Sequence, residues 1–410
     1  MAETGIHQFW RPAGQIAIMH RELVEKKKWI GESRFLNALN YCMLLPGPEA
    51  QQLAVYIGWI LHRWWGGVIA GLFFFLPAAV FLWILSVLYV THGQSESMQS
   101  VLHGLKAGVL AIIVGAVIKI SQKALRGKAP WAVCLVSFAA LFFLNVPYPI
   151  ILIVVALSGL FLPEFFKLPS AHGSPHTSSP AETRPIDRAH IVQSFKVGAI
   201  CLAVWFLPVI LAGVWLGRES VIYQEGIFFS KAAMVTFGGA YAVLPYVEQQ
   251  TIAQFGWLAP DQMLHGLALS QTIPGPLVMV LQFIGFVSAW NHPGPLSPLA
   301  AATLGSFITT WVTFVPSYLW IFLGAPYIER LQNHKKISGA MSAITAAVAG
   351  VILSLALKFM IPTFFPLETG IDWFAIVLCA AAFTALQKFQ APVLPVLLAC
   401  GLLGWLFGIF

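Results

Sequence analysis

A Pro-Gly-Pro unit set in apolar sequence occurs twice in this chain, as Leu45-Pro46-Gly47-Pro48-Glu49 and as Ile273-Pro274-Gly275-Pro276-Leu277. Two prolines remove backbone donors, and the glycine between them is free to take positive φ, so the unit ends one helix and lets another begin. The apolar runs beside the first copy, Phe35 to Leu45 and Gln51 to Ile60, are each about 10–12 residues, too short to cross about 30 Å of hydrocarbon as a helix. The copies share one register: 274 − 46 and 257 − 29 both equal 228, which sets Trp29-Ile30 on Trp257-Leu258. One copy alone would equally suit a kinked continuous helix. Two in matching context favour a helix–break–helix hairpin dipping into a membrane, because unwound backbone at that depth needs burial in protein or a wet cavity.

With 58% hydrophobic and 10% charged residues and a mean hydropathy of +0.79, the chain lies far from soluble composition. It reads as an all-α polytopic membrane protein, which excludes a soluble enzyme. The charge of +7 sits in loop clusters of Lys and Arg, as membrane orientation requires, so no nucleic-acid partner is expected. Cys42, Cys134, Cys201, Cys379 and Cys400 lie apart in apolar segments without metal-site spacing and read as packing residues. Met1 to Gln15 lacks a basic region followed by an apolar core, so no cleaved signal peptide is expected.

Four regions follow in chain order. Residues 1–163 form a first membrane repeat: a basic, amphipathic interfacial helix over His20 to Arg34, the first broken hairpin, spans over Gly66 to Val90 (with Pro77) and Val101 to Ile120, and a closing pair, Trp131 to Leu144 and Pro149 to Leu162. Its opening helix is expected to be missing, since Met1 to Gly14 is short and polar where the second half has the apolar stretch broken at Phe237-Gly238-Gly239. Residues 164–194, rich in Ser, Pro and Thr, read as a flexible cytoplasmic linker; His172 and His176 within it read as solvated residues. Residues 195–220 supply an extra span. Residues 221–410 form the second repeat, in which Pro316 answers Pro77 at an offset of 239 and Lys358 answers Lys119.

Equivalent loops carry opposite charge. Arg21 to Arg34 contains five Lys or Arg, and its counterpart Glu248 to Gln262 contains none. Thr91 to Ser100 lacks basic residues where its counterpart has Arg330, Lys335 and Lys336; Lys123, Arg126 and Lys128 face Glu368 and Asp372. Basic short loops stay cytoplasmic, so the two halves are expected in inverted topology, the extra span supplying the odd crossing. Inverted repeats with re-entrant, interrupted helices at mid-membrane are the architecture of secondary transporters.

A helix that begins after each break points unpaired N–H groups and its positive dipole end at the break, which makes an anion site. The candidate substrate-binding residues are therefore Pro46, Gly47, Pro48, Glu49, Gln51 and Gln52 in the first half, with Gly238, Gly239, Ser270, Gln271, Thr272, Pro274, Gly275 and Pro276 in the second. Asn37, Asn40 and Gln282 lie near enough in sequence to add donors. Glu49 reads either as a proton-linked carboxylate or as an acidic first-turn residue. Lys119 and Lys358 read as snorkelling side chains, Lys106 and Lys231 as residues that could line a path, and His265 as a hydrogen-bonded histidine. The spans hold no convergent His, Asp or Glu cluster, so no enzyme, metal or cofactor is expected.

Pro12-Ala13-Gly14-Gln15-Ile16-Ala17, Leu44-Leu45-Pro46-Gly47-Pro48-Glu49-Ala50-Gln51-Gln52-Leu53, Tyr56-Ile57-Gly58-Trp59, Phe237-Gly238-Gly239 and Gln271-Thr272-Ile273-Pro274-Gly275-Pro276 together resemble the chromate ion transporter family in its long two-repeat form. The resemblance covers nearly the whole chain. It implies a multi-pass protein of the bacterial inner membrane that exports chromate and confers chromate resistance, with sulfate as competing analogue, driven by the membrane potential or a proton gradient. A sulfate or other oxyanion transporter, or an anion channel of the same architecture, is the alternative, and a homodimer is an assembly open to such a chain. In ungapped register the family's first-half Phe-Gly-Gly-Pro falls on Phe9-Trp10-Arg11-Pro12, so both glycines are replaced or the opening helix is absent. Cysteines placed at Lys27 and Gln254 should react with membrane-impermeant reagents from opposite faces; labelling from one face contradicts the inversion.

Overall fold

The computed structural model describes residues 12–166, 188–324, 335–366 and 370–408. Among these the chain is all α, without strands, and five of its helices are long and apolar enough to cross a membrane. Phe73, Val136 and Val214 stand exposed on outer faces, where only a lipid environment accommodates so much apolar surface. The protein is a polytopic membrane protein.

Helix α1 (Pro12–His20) runs into a π-helical turn at Arg21–Lys26, and the chain then reverses through Lys28, whose φ is 51°, before α2 (Glu32–Cys42). The single amphipathic helix expected over His20 to Arg34 is thus two elements with a left-handed residue between them. The first Pro-Gly-Pro separates α2 from α3 (Glu49–His92). Although α3 has 44 residues it is not one rod: His62 and Arg63 leave helical geometry. A Cβ on Gly71 would touch Val55, and Gly58 meets Gly66 backbone to backbone. Residues 55 and 71 of a straight helix would stand about 24 Å apart, so the arm 49–61 folds back on the spanning arm 64–92. Next come α4 (Glu96–Ala124), the short pair α5 (Lys128–Phe142) and α6 (Tyr148–Phe161), and α7 (Arg188–Trp215).

The second half opens with α8 (Val221–Met234), α9 (Ala240–Glu248) and a π-helical turn at Gln249–Gln254. Then follow α10 (Pro260–Gln271), the second break, a 3-10 turn at Leu277–Met279, α11 (Val280–Asn291) and the long α12 (Pro298–Gly324). Helix α13 (Lys335–Phe364) and the pair α14 (Trp373–Gln387) and α15 (Val393–Phe407) close it. The offset of 228 is kept from α1 to α9, between the two π-helical turns, and from the start of α2 to that of α10. It also relates left-handed Lys28 to Gly256, whose φ is 62°. Residues 167–187 of the linker, the opening residues to Arg11, and the loop with Arg330 lie outside the described residues; the last seven residues assigned to the linker are already helical, the first turns of α7 from Arg188.

The two halves exchange contacts reciprocally. Phe75 stacks on Phe314, ring centroids 4.4 Å apart and planes 7° from parallel; these residues are 239 apart, like Pro77 and Pro316. A Cβ on Gly47 would lie 3.4 Å from Ser317 Oγ, and one on Gly275 2.5 Å from Ala78 Cβ, so each Pro-Gly-Pro rests against the residue that follows the in-helix proline of the opposite half, Pro316 or Pro77. Helix α4 packs on α14 and α15 while α13 packs on α5 and α6. At these crossings Gly404 approaches the Ser100 carbonyl and Gly104, and Gly159 approaches the Gly339 carbonyl and Ala343. Small residues permit such helix contact in lipid. Gly104→Val, whose new side chain would drive into the Cys400 carbonyl and Gly404, should destabilise the fold by about 1–3 kcal/mol in thermal unfolding. Gly401→Ala, which meets only ordinary contacts, should be neutral; equal stability of both variants contradicts the close crossing.

Candidate functional site

Both breaks open on one cavity of about 380 Å³. Met43 and Glu49, which bracket the first Pro-Gly-Pro, line it together with Gln271 and Leu277, which bracket the second. The two pairs are again 228 apart. Gly238 and Gly239 add a third wall, with φ of 81° and 101°, a left-handed pair that L side chains rarely adopt and that lets α8 turn into α9.

Three helical N-termini therefore face the same space. The α3 N-cap is Pro48, the cap of the Leu277–Met279 turn is Pro276, and that of α9 is Gly239; none makes a side-chain capping bond. In the last two the third N–H is already taken, Met279 donating to the Pro276 carbonyl at 3.0 Å and Ala242 to that of Gly239 at 3.1 Å; the N–H groups ahead of it have no carbonyl of their own helix in reach and carry the positive end of the backbone dipole. Lys119 and Lys123 also line the cavity from α4, one turn apart and so on one face. Glu49 lies within electrostatic reach of Lys123. Gln387 and Gln390, from the end of α14 and the turn beyond it, complete a polar rim. Two ammonium groups and three helix ends against one carboxylate form a basin of positive potential suited to a multiply charged anion. A larger void of about 500 Å³ between α3, α7 and α12 has only apolar lining, including Trp64, Phe75 and Trp311, and offers an anion nothing.

Of the residues expected from sequence, Glu49, Gly238, Gly239 and Gln271 reach the cavity. Pro46, Gly47, Pro48, Pro274, Gly275 and Pro276 shape the breaks behind it. The Gly47 N–H is already used, donating to the Thr236 carbonyl at 2.9 Å. Gly47 has φ of 116°, whereas Gly275 has no left-handed φ; it is the contact with Ala78 that requires a glycine there. The remaining polar candidates brace backbone. Gln52 donates to the Pro46 carbonyl at 2.7 Å and Gln51 to that of Phe314 at 3.4 Å, while Ser270 and Thr272 donate to Leu267 and Leu269. Gln282 donates to the Ala79 carbonyl, and Asn37 and Asn40 do not line the cavity.

The lysines divide differently from the sequence reading. Lys119, expected to snorkel, faces the cavity, whereas Lys106, expected on a path, is tied to Asp261 at 2.8 Å. Lys358 pairs with Glu248 at 3.0 Å. Lys231 is exposed on α8, and His265 bonds Tyr89 Oη at 3.0 Å. His172 and His176 lie outside the described residues. The signal missed in the sequence was the i,i+4 repetition of Lys119 and Lys123 below the small residues Gly115 and Ala116, which leave room beside the breaks.

A family model described as Chromate transporter matches the chain over residues 1–161 and 223–405. The chain belongs to the chromate transporter family. It is 30% identical to a chromate transport protein of Pseudomonas aeruginosa, over 98% of this chain and 89% of that protein. A chromate transport protein of Cupriavidus metallidurans is 28% identical, over 84% and 77% of the two chains, and a probable chromate transport protein of Synechococcus elongatus 27%, over 88% and 85%. No solved structure matches. Family membership makes this chain a transporter rather than an enzyme, and its cavity a place to look for an anion.

Proposed function

We propose that the protein is a secondary transporter that carries chromate out of the cell across the bacterial inner membrane, with sulfate competing for the same site, and that two inverted repeats perform the carriage. One observation carries this reading: both Pro-Gly-Pro breaks, three uncapped helix ends and the ammonium groups of Lys119 and Lys123 converge on a single cavity. A tetrahedral dianion there accepts hydrogen bonds from the backbone N–H groups while its charge relieves the repulsion between the two lysines. Chromate and sulfate share shape and charge, so neither the helix ends nor the lysines separate them strongly.

Alternating access follows from the unequal states of two equivalent lysines. Lys119 is open to the cavity, on the face whose basic loop marks the cytoplasm, while its counterpart Lys358 is closed against Glu248. In the opposite conformation the roles exchange: Lys358 is released to the outer side and Lys119 is shut in. Residues 1–163 and 221–410 are the moving repeats, joined by the linker 164–194 and the extra helix, and two copies set side by side as a homodimer leave the site in each unchanged.

Uptake of labelled chromate into everted vesicles tests the assignment. A hydrogen bond from a charged group contributes about 1.5–3 kcal/mol, so Lys119→Gln and Lys123→Gln should each raise KM for chromate about tenfold or more and weaken inhibition by sulfate in parallel. A lipid-facing control, Phe73→Leu, should leave both unchanged. Wild-type kinetics in both lysine variants contradict the site; equilibration without accumulation under an energised membrane contradicts carriage and indicates a channel.

A further inference from the structure

Glu225 lies outside the cavity, on α8, and is fully buried, with neither carboxyl oxygen hydrogen-bonded among the described residues. It fills the notch where α11 and α12 touch: a Cβ on Gly305 would lie 2.7 Å from Glu225 Oε2, 2.7 Å from the Gly285 carbonyl and 2.7 Å from Ala289 Cβ. The hydroxyls of Ser288 and Thr309, on the same two helices, are equally buried and unpartnered. A carboxylate stripped of water without a cation costs several kcal/mol, and an ionisable group held so inside a membrane protein marks an ion or proton path.

The other titratable groups around α8 leave this carboxyl alone. Glu248 of α9 is paired with Lys358, and Lys231 stands exposed on another face of α8. Glu219 and His292 line a separate cavity of about 380 Å³ at the N-terminal end of α8. Ile222, one turn before Glu225 on the same helix face, is part of that lining and is itself buried. One turn of helix therefore separates Glu225 from a cavity next to the 216–220 turn, which lies one span beyond the linker expected in the cytoplasm and so, on the transport reading, on the outer side. At its other end α8 leads directly into Gly238 and Gly239, a wall of the anion cavity.

We propose that Glu225 is the site that binds the coupling proton, taken up through the Glu219–His292 cavity, and that its occupancy decides which side the anion cavity faces. The inference rests on the transport reading above. With the proton bound, the neutral carboxyl is tolerated in the Gly285–Gly305 notch, and α8 holds Gly238 and Gly239 as they stand here. When the proton leaves, the bare carboxylate must reach water, α8 shifts against α11 and α12, and that wall moves with it. The proton moves opposite to the anion, and no covalent chemistry is involved.

Proteoliposomes clamped at zero membrane potential, with chromate as the probe, separate the two readings. One pH unit across the membrane is worth a tenfold concentration ratio per coupled proton, so the wild type should settle at an about tenfold or greater chromate ratio, and a pH dye should record protons moving against chromate. Glu225→Gln should still exchange labelled for unlabelled chromate within about twofold of the wild-type rate, because a neutral isostere suits the notch, yet hold the ratio near unity. A Glu225→Gln variant that keeps the pH-driven ratio, or one that loses exchange along with it, overturns the coupling role. So does a wild type that exchanges chromate without proton movement, a measurement that needs no variant to fold. Absence of chromate exchange in the wild type would instead defeat the transport reading itself.

Discussion

Inside a bilayer no water is at hand to satisfy a backbone N–H or C=O, so every interruption of a helix must be answered from within the protein. This chain interrupts its helices at both Pro-Gly-Pro units and answers them across the halves. The Gly47 N–H of the first break reaches the Thr236 carbonyl, and side chains beside the breaks tie the halves further, Gln51 to the Phe314 carbonyl within α12 and Gln282 to the Ala79 carbonyl within α3. The reciprocal contacts at Phe75–Phe314, Gly47–Ser317 and Gly275–Ala78 hold the two halves against each other.

The same arrangement supplies the electrostatics. The first N–H groups after Pro48, Pro276 and Gly239, ahead of the Met279 and Ala242 N–H groups that bond back to their own cap carbonyls, face the cavity that Lys119 and Lys123 enter from α4. Helix ends present fixed partial charges that need little reorganisation when an anion arrives, while lysines supply full charges that can follow it. Glu49 at the rim, near Lys123, offsets part of that positive potential. The unequal states of Lys119 and Lys358 fit a molecule caught on one side of its cycle.

Much of this was legible in the sequence because prolines and glycines punctuate helices locally. The breaks, the turn at Gly238-Gly239 and the short closing pairs all follow from residues that act on their own backbone, whereas the bend of the first long helix falls at His62 and Arg63 rather than at Pro77. Side-chain destinations were less legible. Gln51, Gln52, Ser270 and Thr272 look like ligands by proximity to the breaks, yet each is drawn to a nearby carbonyl. Lys119 looks interfacial by hydropathy and is exposed, yet it also lines the cavity that the residues beside both breaks share. The reversal at Lys28 was hidden because its mate Gly256 carries the glycine that Lys28 lacks. Glu225 gave no signal, being one acidic residue in a moderately apolar helix whose burial depends on Gly285 and Gly305 from elsewhere in the chain.

The central claim is that one anion sits where the two breaks meet. Chromium scatters strongly enough for an anomalous difference map of chromate-soaked crystals to locate it. The account predicts one peak between the Lys119 and Lys123 ammonium groups and the backbone N–H groups that follow Pro48 and Pro276. A peak in the apolar void beside Trp64 and Trp311, or an empty cavity at saturating chromate, would contradict it.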